Sequence, residues 1–263
     1  MNQRLRTIAD ALAVFAALLI LWQAILWVFR VPAYMLPSPW VVARAVGTRF
    51  PSLIASLAIT AVESGAGLIA STVVGVFIAL IFAQSRWVRR MLYPYTILLQ
   101  TVPIVAIAPL ILMWVGGGTL AVTLIAFIIS LAPIIANTTQ GLVSVEENLV
   151  HLFLMHGATP SQILFKLRLP HAVPSLFVGI RIASGISVIG AITGELYAGS
   201  SSVGAGGLGY SILYASSQLQ TDYLFALVLA ATVLGFGFFF MVMFLEWFFL
   251  HRWHASALTM EVE

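Results

Sequence analysis

Charged residues stand inside runs that are otherwise apolar, among them Glu63, Arg181 and Glu195. At membrane depth such a group must meet a counter-charge, a water-filled cavity or a neutral form. It can then relay protons, line a path for a polar solute or hold helices together. Arg181 and Glu195 fall on one apolar run, fourteen residues apart. That is about 21 Å along a helix axis, so they cannot pair with each other. Arg181 is expected to snorkel or to bind backbone carbonyls near 157–170. Glu195, toward the other end of its run, is expected to reach interfacial water or to line a path. Gln100 and Pro103 are further candidates for a lining, because a proline frees backbone carbonyls, which is tolerated beside a cavity. Ordinary enzymatic chemistry finds little material. There is no cysteine, hence no thiol nucleophile and no disulfide. His151, His156, His171, His251 and His254 do not share a helix face at metal-ligand spacing, so no metal site is expected. No Walker-type lysine loop occurs, so any ATP hydrolysis must come from another polypeptide.

The elements that carry these residues are apolar spans. Of 263 residues 61% are hydrophobic and 8% charged, which excludes a soluble domain. Runs of about 18 or more apolar residues read as transmembrane helices. Six are expected: Ala11–Phe29, Leu57–Ala83, Leu92–Trp114, Leu120–Thr139, Val173–Ala198 and Tyr223–Leu250. The class is therefore all-α, a single polytopic membrane domain over 1–263. The first run is longer than a signal-peptide core and lacks a small-residue cleavage site, so it reads as a retained span. The third is interrupted by Pro94, Pro103 and Pro109. Segment 30–56 contains Trp40–Phe50, which reads either as a helix lying on the membrane surface or as a plain connector. In the fifth run Gly179, Ala183, Ser187 and Ala191 recur every four residues, a smooth ridge for close helix packing.

Six spans return both termini to one side. That side collects Arg4, Arg6, Arg86, Arg89, Arg90, Lys166, Arg168 and Arg252, against Arg30, Arg44 and Arg49 on the other. The positive-inside bias makes the first side cytoplasmic. The net charge of +3 sits in these membrane-flanking clusters, so lipid is a partner and nucleic acid is not.

Between the fourth and fifth spans lies Gly-Ala-Thr-Pro-Ser-Gln-Ile-Leu-Phe-Lys-Leu-Arg-Leu-Pro, residues 157–170. Thr159 can N-cap a helix, Pro160 suits its first position, and Gln162 completes a capping box. Lys166 and Arg168 would occupy the last turn, where the helix dipole favours cations. Pro170 disfavours a helical Leu169 and should end the helix. The expectation is a helix of roughly ten residues, about 15 Å long, projecting from the bundle. A helix of that kind can lie in a groove of a second protein.

Gly157, nine residues, Leu167, any residue, Leu169 and Pro170 resemble the EAA loop of ABC-transporter inner-membrane permeases. The EAA triplet itself reads His151-Leu152-Phe153 here. His171 to Ala183, Gly194-Glu195 and Gly206-Gly-Leu-Gly-Tyr210 extend the resemblance toward the sulfonate, taurine, nitrate and thiamine-precursor branch. It covers most of the chain, about Pro37 to Glu246. The resemblance implies a type I permease fold and a homodimer with the solute path between two copies. It also implies a cytoplasmic ABC ATPase dimer that binds ATP and Mg, an extracytoplasmic binding protein, and residence in a bacterial cytoplasmic membrane. This chain would itself be non-catalytic and hold no cofactor. Loop 144–171 would contain the coupling helix, with Gly157, Ala158, Thr159, Gln162, Leu169 and Pro170 as the coupling element. Glu63, Gln100, Pro103 and Glu195 would be pathway candidates. Glu63 occupies a position where sulfonate permeases usually have arginine, which argues against an anionic solute. With Phe165–Pro170 and Ser187–Glu195, it favours a thiamine-pyrimidine precursor or a riboflavin-like compound. The alternatives are a sulfonate, taurine or nitrate importer or, in another class, a proton-coupled secondary transporter using Glu63 or Glu195.

Overall fold

The computed structural model describes residues 3–198 and 206–251. Residues 199–205 of the Ser/Gly-rich segment, and 252–254 near the C-terminus, lie outside the described residues. In a hydrocarbon environment each backbone N–H and C=O must be satisfied within its own segment, and long Leu/Ile/Val/Ala runs therefore become helices. They are α1 (Gln3–Phe29), α2 (Pro39–Thr48), α3 (Phe50–Gln84), α4 (Arg86–Thr101), α5 (Ile104–Val115), α6 (Thr119–Val143), α7 (Glu147–Met155), α8 (Pro160–Ile163), α9 (Leu169–Ala198), α10 (Leu208–Ser217) and α11 (Thr221–Leu250). A π-helical turn, Leu164–Arg168, joins α8 to α9.

The centre is a three-helix core of α3, α6 and α9, held close by small residues. A Cβ on Gly67 would lie 2.7 Å from the Ala126 Cβ, and one on Gly75 would lie 2.8 Å from Ile134. The paired positions rise together, so α3 and α6 run parallel. Against α6, Gly194 packs on Val122, Gly190 on Ala126, and Gly179 on Pro133 and Ile134. The paired positions now run in opposite senses, so α9 is antiparallel to both. Ala183, Ser187 and Ala191 on the expected ridge have no exposed surface. Without a hydrophobic drive between helices in lipid, this backbone approach is the main source of cohesion.

That geometry decides how many times the chain crosses. α4 and α5 meet at a bend of 99°, which by length and composition alone fits a broken span or a re-entrant loop. The end of α3 and the start of α6 lie at opposite poles of the bundle, because α3 and α6 are parallel. The bent pair must therefore carry the chain from one pole to the other. It reads as one broken span, which brings the candidate crossings to six among the described residues.

Only one of the three prolines breaks it. Pro94 and Pro109 lie inside helices, whereas Val102 and Pro103 are both extended (ψ 123° and 111°). A residue before proline is pushed out of the α region, and at Val102 the chain yields.

α11 lines up with α3. At its start Arg49 hydrogen-bonds Gln220 and stacks over the Tyr223 ring at 4.7 Å, while Thr221 donates to the Tyr34 carbonyl at 2.7 Å. α1 reaches the same pole, with Trp22 against Phe225. Segment 30–56 contains a true helix there: α2 is N-capped by Ser38 and buries Val42 and Ala45. Near the other end of α11, Arg181 pairs with Glu246. This corrects the expectation that Arg181 snorkels. Its partner lies 65 positions away on another helix, and only packing brings them together.

Candidate functional site

The pole at which α6 ends and α9 begins is built by 144–171. α7 ends in a Schellman motif. The Ala158 N–H bonds the Phe153 carbonyl and the Gly157 N–H bonds that of Leu154, both at 3.0 Å. Gly157 supplies the left-handed residue this closure needs, at φ +73°. The chain reverses directly into α8. The Gln162 N–H bonds the Thr159 hydroxyl at 3.3 Å, and the Thr159 N–H bonds the Gln162 side chain at 2.8 Å. The expected capping box is present, with Pro160 at the first turn.

The end of this helix differs from the expectation. Pro170 does not stop it. Helical structure continues from Pro160 to Ala198 over 39 residues. A proline inside an α-helix clashes with the carbonyl four residues back, here Lys166. The turn Leu164–Arg168 widens to π geometry, with the Leu169 N–H bonded to the Leu164 carbonyl five residues back, and this opens room for the ring. The projecting piece is thus the first two turns of the long α9 rod rather than a free helix. Lys166 and Arg168 do not occupy a terminal turn. The Arg168 guanidinium instead donates to the Ala83 carbonyl at the end of α3, at 3.0 Å.

Between α7 and α8 lies a cavity of about 340 Å³ lined by Leu152, Phe153, His156, Ala158, Gln162 and Lys166. Gly157, Thr159 and Gln162 are exposed, and Ala158, Leu169 and Pro170 half-buried. Around the notch Leu152, Leu154, Met155 and Phe165 expose large apolar surface, Met155 as much as 84%. These side chains sit among Glu146, Glu147, His156 and Lys166, beyond the apolar spans. Apolar surface rimmed by polar residues marks an interaction site, whether for a protein, a membrane or a ligand.

The pathway candidates separate into two groups. Gln100 and Pro103 are exposed on the α4–α5 break. Glu63 and Glu195 are buried at 4% and 3% exposure, inside the protomer. Glu195 does not reach interfacial water. Its Oε1 accepts from the Thr60 hydroxyl at 2.7 Å and its Oε2 from the Gly209 N–H at 2.6 Å. Thr60 in turn accepts the Leu208 N–H at 2.8 Å. The carboxylate thereby caps the start of α10 from another helix. Gly207 is pressed so tightly against it that a Cβ would lie 1.9 Å from Glu195 Oε1. The Glu63 carboxyl lies beside that of Glu195, and its Oε2 is buried with no hydrogen-bond partner among the described residues. Sequence reasoning missed Thr60, Glu246 and the α3 contact of Arg168. In each case the partner lies tens of residues away, and no spacing rule reaches it.

A sequence profile of the family described as "Binding-protein-dependent transport system inner membrane component" matches residues 71–254. The chain is 31% identical over 246 residues to a probable ABC transporter permease protein of Haemophilus influenzae, covering 94% of this chain and 97% of that one. It is 32% identical to the formylaminopyrimidine transport permease protein ThiX of Halalkalibacterium halodurans, over 84% of this chain and 86% of that one. It is 31% identical to the riboflavin transport system permease protein RibX of Chloroflexus aurantiacus, over 91% and 88%. Among solved structures, a chain of the MetNI methionine ABC transporter in an inward-facing conformation superposes with a TM-score of 0.51. The match covers 79% of this chain and 97% of that one at 22% identity, a likeness of fold. The six-crossing helical bundle with its built-out pole therefore belongs to the family of binding-protein-dependent transport system inner membrane components, the transmembrane permeases of ABC importers.

Proposed function

We propose that this chain is the membrane subunit of an ATP-driven importer, working as a homodimer with the solute path between two copies. An ABC ATPase dimer, which binds the ATP and Mg, docks on the notch between α7 and α8. A solute-binding protein docks at the opposite pole, where α2 exposes Arg44. The observation that carries this reading is the notch itself, an apolar-rimmed hollow fixed by Gly157 and the Thr159–Gln162 box at the root of a core helix. ATP-driven closure of the ATPase pair would press on 157–163 and rock α9 within the bundle, a rigid-body switch between two states. In this reading the notch pole is cytoplasmic, with both chain ends on that side, as its basic clusters favour. Gln100 and Pro103 line the path. Glu63 and Glu195 act one step back, holding the α10 turn beside it. Co-purification tests the assignment. The full chain should bring an ATP-binding subunit with it from the membrane, and a Gln162→Arg variant should not. Isolation of the wild-type chain without any such subunit would overturn the reading.

For the solute, a pyrimidine or a riboflavin-like heterocycle is the best candidate, supported by identity to the formylaminopyrimidine and riboflavin permeases over more than four-fifths of this chain. A thermal-shift screen of the binding protein encoded alongside tests it. Formylaminopyrimidine or riboflavin should raise the melting temperature, and a rise with taurine or an alkanesulfonate alone would sink the choice.

A further inference from the structure

The π turn has contacts that a simple docking helix does not need. We propose that Arg168 is a positioning residue: it transmits displacement of 157–168 to the α3–α4 junction, apart from the covalent route into α9. The inference rests on the reading that a separate ATPase presses on this pole. Ala83 lies in the last turn of α3, whose carbonyls have no partner within their own helix. A cation is favoured there by the helix dipole as well. The Arg168 guanidinium fills that position through its Nη1 at 3.0 Å, half-buried, with its Nε enclosed and without a partner among the described residues. Four residues earlier on the same turn, Leu164 packs into a cluster with Ala79 and Ala83 of α3, Leu142 of α6 and Ala172 of α9. The π turn is thus clamped to the end of α3 by one apolar and one charged contact.

What lies beyond Ala83 gives the clamp its consequence. Ser85 caps α4, and α4 leads to the break at Val102 and Pro103. A push on α8 can therefore reach the broken span by contact through Arg168, while α9 moves because it is continuous with α8. The π turn sits at the fork of the two routes. Such turns are rare and frequently mark functional sites.

The absence of native cysteine makes the test direct. Spin labels are placed singly at Leu98→Cys on α4 and Val178→Cys on α9, both on exposed positions. The permease is studied with its co-purifying ATPase in lipid nanodiscs, with and without ATP and vanadate. In the wild-type background both labels should report an ATP-dependent spectral change. Arg168→Met should abolish the change at 98 and keep that at 178. Arg168→Lys should leave the change at 98 at least two-fold smaller than wild type. Should Arg168→Met fail to assemble, the lysine variant alone decides. In the Arg168 variants, changes of full wild-type size at both sites, or equal loss at both, overturn the proposal, since a merely structural arginine would not separate the two labels. If the wild-type complex binds no ATPase, or neither label responds to ATP, the docking assignment itself fails, a result distinct from failure of the arginine link.

Discussion

Gly157 combines a backbone demand with an open surround. Its φ of +73° closes the Schellman motif, yet a Cβ there would meet nothing within 4 Å. The cost of substitution is therefore conformational rather than steric. A non-glycine residue in the left-handed region loses about 1–2 kcal/mol, and a β-branched one is a genuine outlier. Asparagine tolerates that region best. Gly157→Asn should thus keep near-native stability and ATPase binding, while Gly157→Val should reopen the α7–α8 reversal and lose ATPase binding with the bundle still folded. Co-purification yield together with the melting temperature of the permease checks this pair. Equal retention of the ATPase by both variants would show that the reversal is not what the ATPase reads. At this scale the sequence was readable where the partner is near. The Thr159–Gln162 box spans three residues and was visible. Glu195 reads in the sequence as reaching interfacial water or lining a path, because Thr60, its hydrogen-bond partner, lies 135 positions away. The turn from Gly207 to Gly209 that it caps follows a long Ser/Gly stretch with no helix signal.

Among the elements, proline was the least transferable signal. Pro94 and Pro109 ride inside helices, Pro170 is absorbed by a π turn, and Pro103 alone breaks its span. Local preference says where a break is cheap, and the packing around each proline says whether it occurs. Pro103 follows a residue already extended at Val102, so the bend needs both. Pro103→Ala removes the restriction on Val102 and restores the missing donor, which should let α4 and α5 fuse toward one straight helix. Spin labels at Leu92 and Val115 read this directly. A right-angled pair places them about 24 Å apart and a straight helix about 35 Å, at about 1.5 Å per residue. The variant should shift the distance toward the longer value and lower transport, since a straight span would withdraw Gln100 from its exposed corner. An unchanged distance would mean that packing against α6 and α9, rather than proline, sets the bend.

For the whole molecule, the order of six crossings follows from two relations, α3 parallel to α6 and α9 antiparallel to both. Hydropathy found the spans but could not find those relations, which are set by glycines on three helices meeting in space. The charge pair Arg181–Glu246 joins this core to the peripheral α11. Removing one partner should cost more than removing both, because an unpaired charge at membrane depth is the expensive state. Glu246→Gln should destabilise by up to about 3 kcal/mol, and Arg181→Met with Glu246→Met should approach wild type, as unfolding in detergent would show. The orientation of the bundle decides whether the notch can serve an ATPase at all. The chain can report it without background, since it has no native thiol. Ser161→Cys lies on the exposed start of the α9 rod and Arg44→Cys on exposed α2 at the other pole. In intact cells an impermeant maleimide should label the α2 variant promptly and the Ser161 variant only after permeabilisation. The reverse pattern would put the notch outside, where no ATP is available, and would leave the bundle a permease fold without a motor to move it.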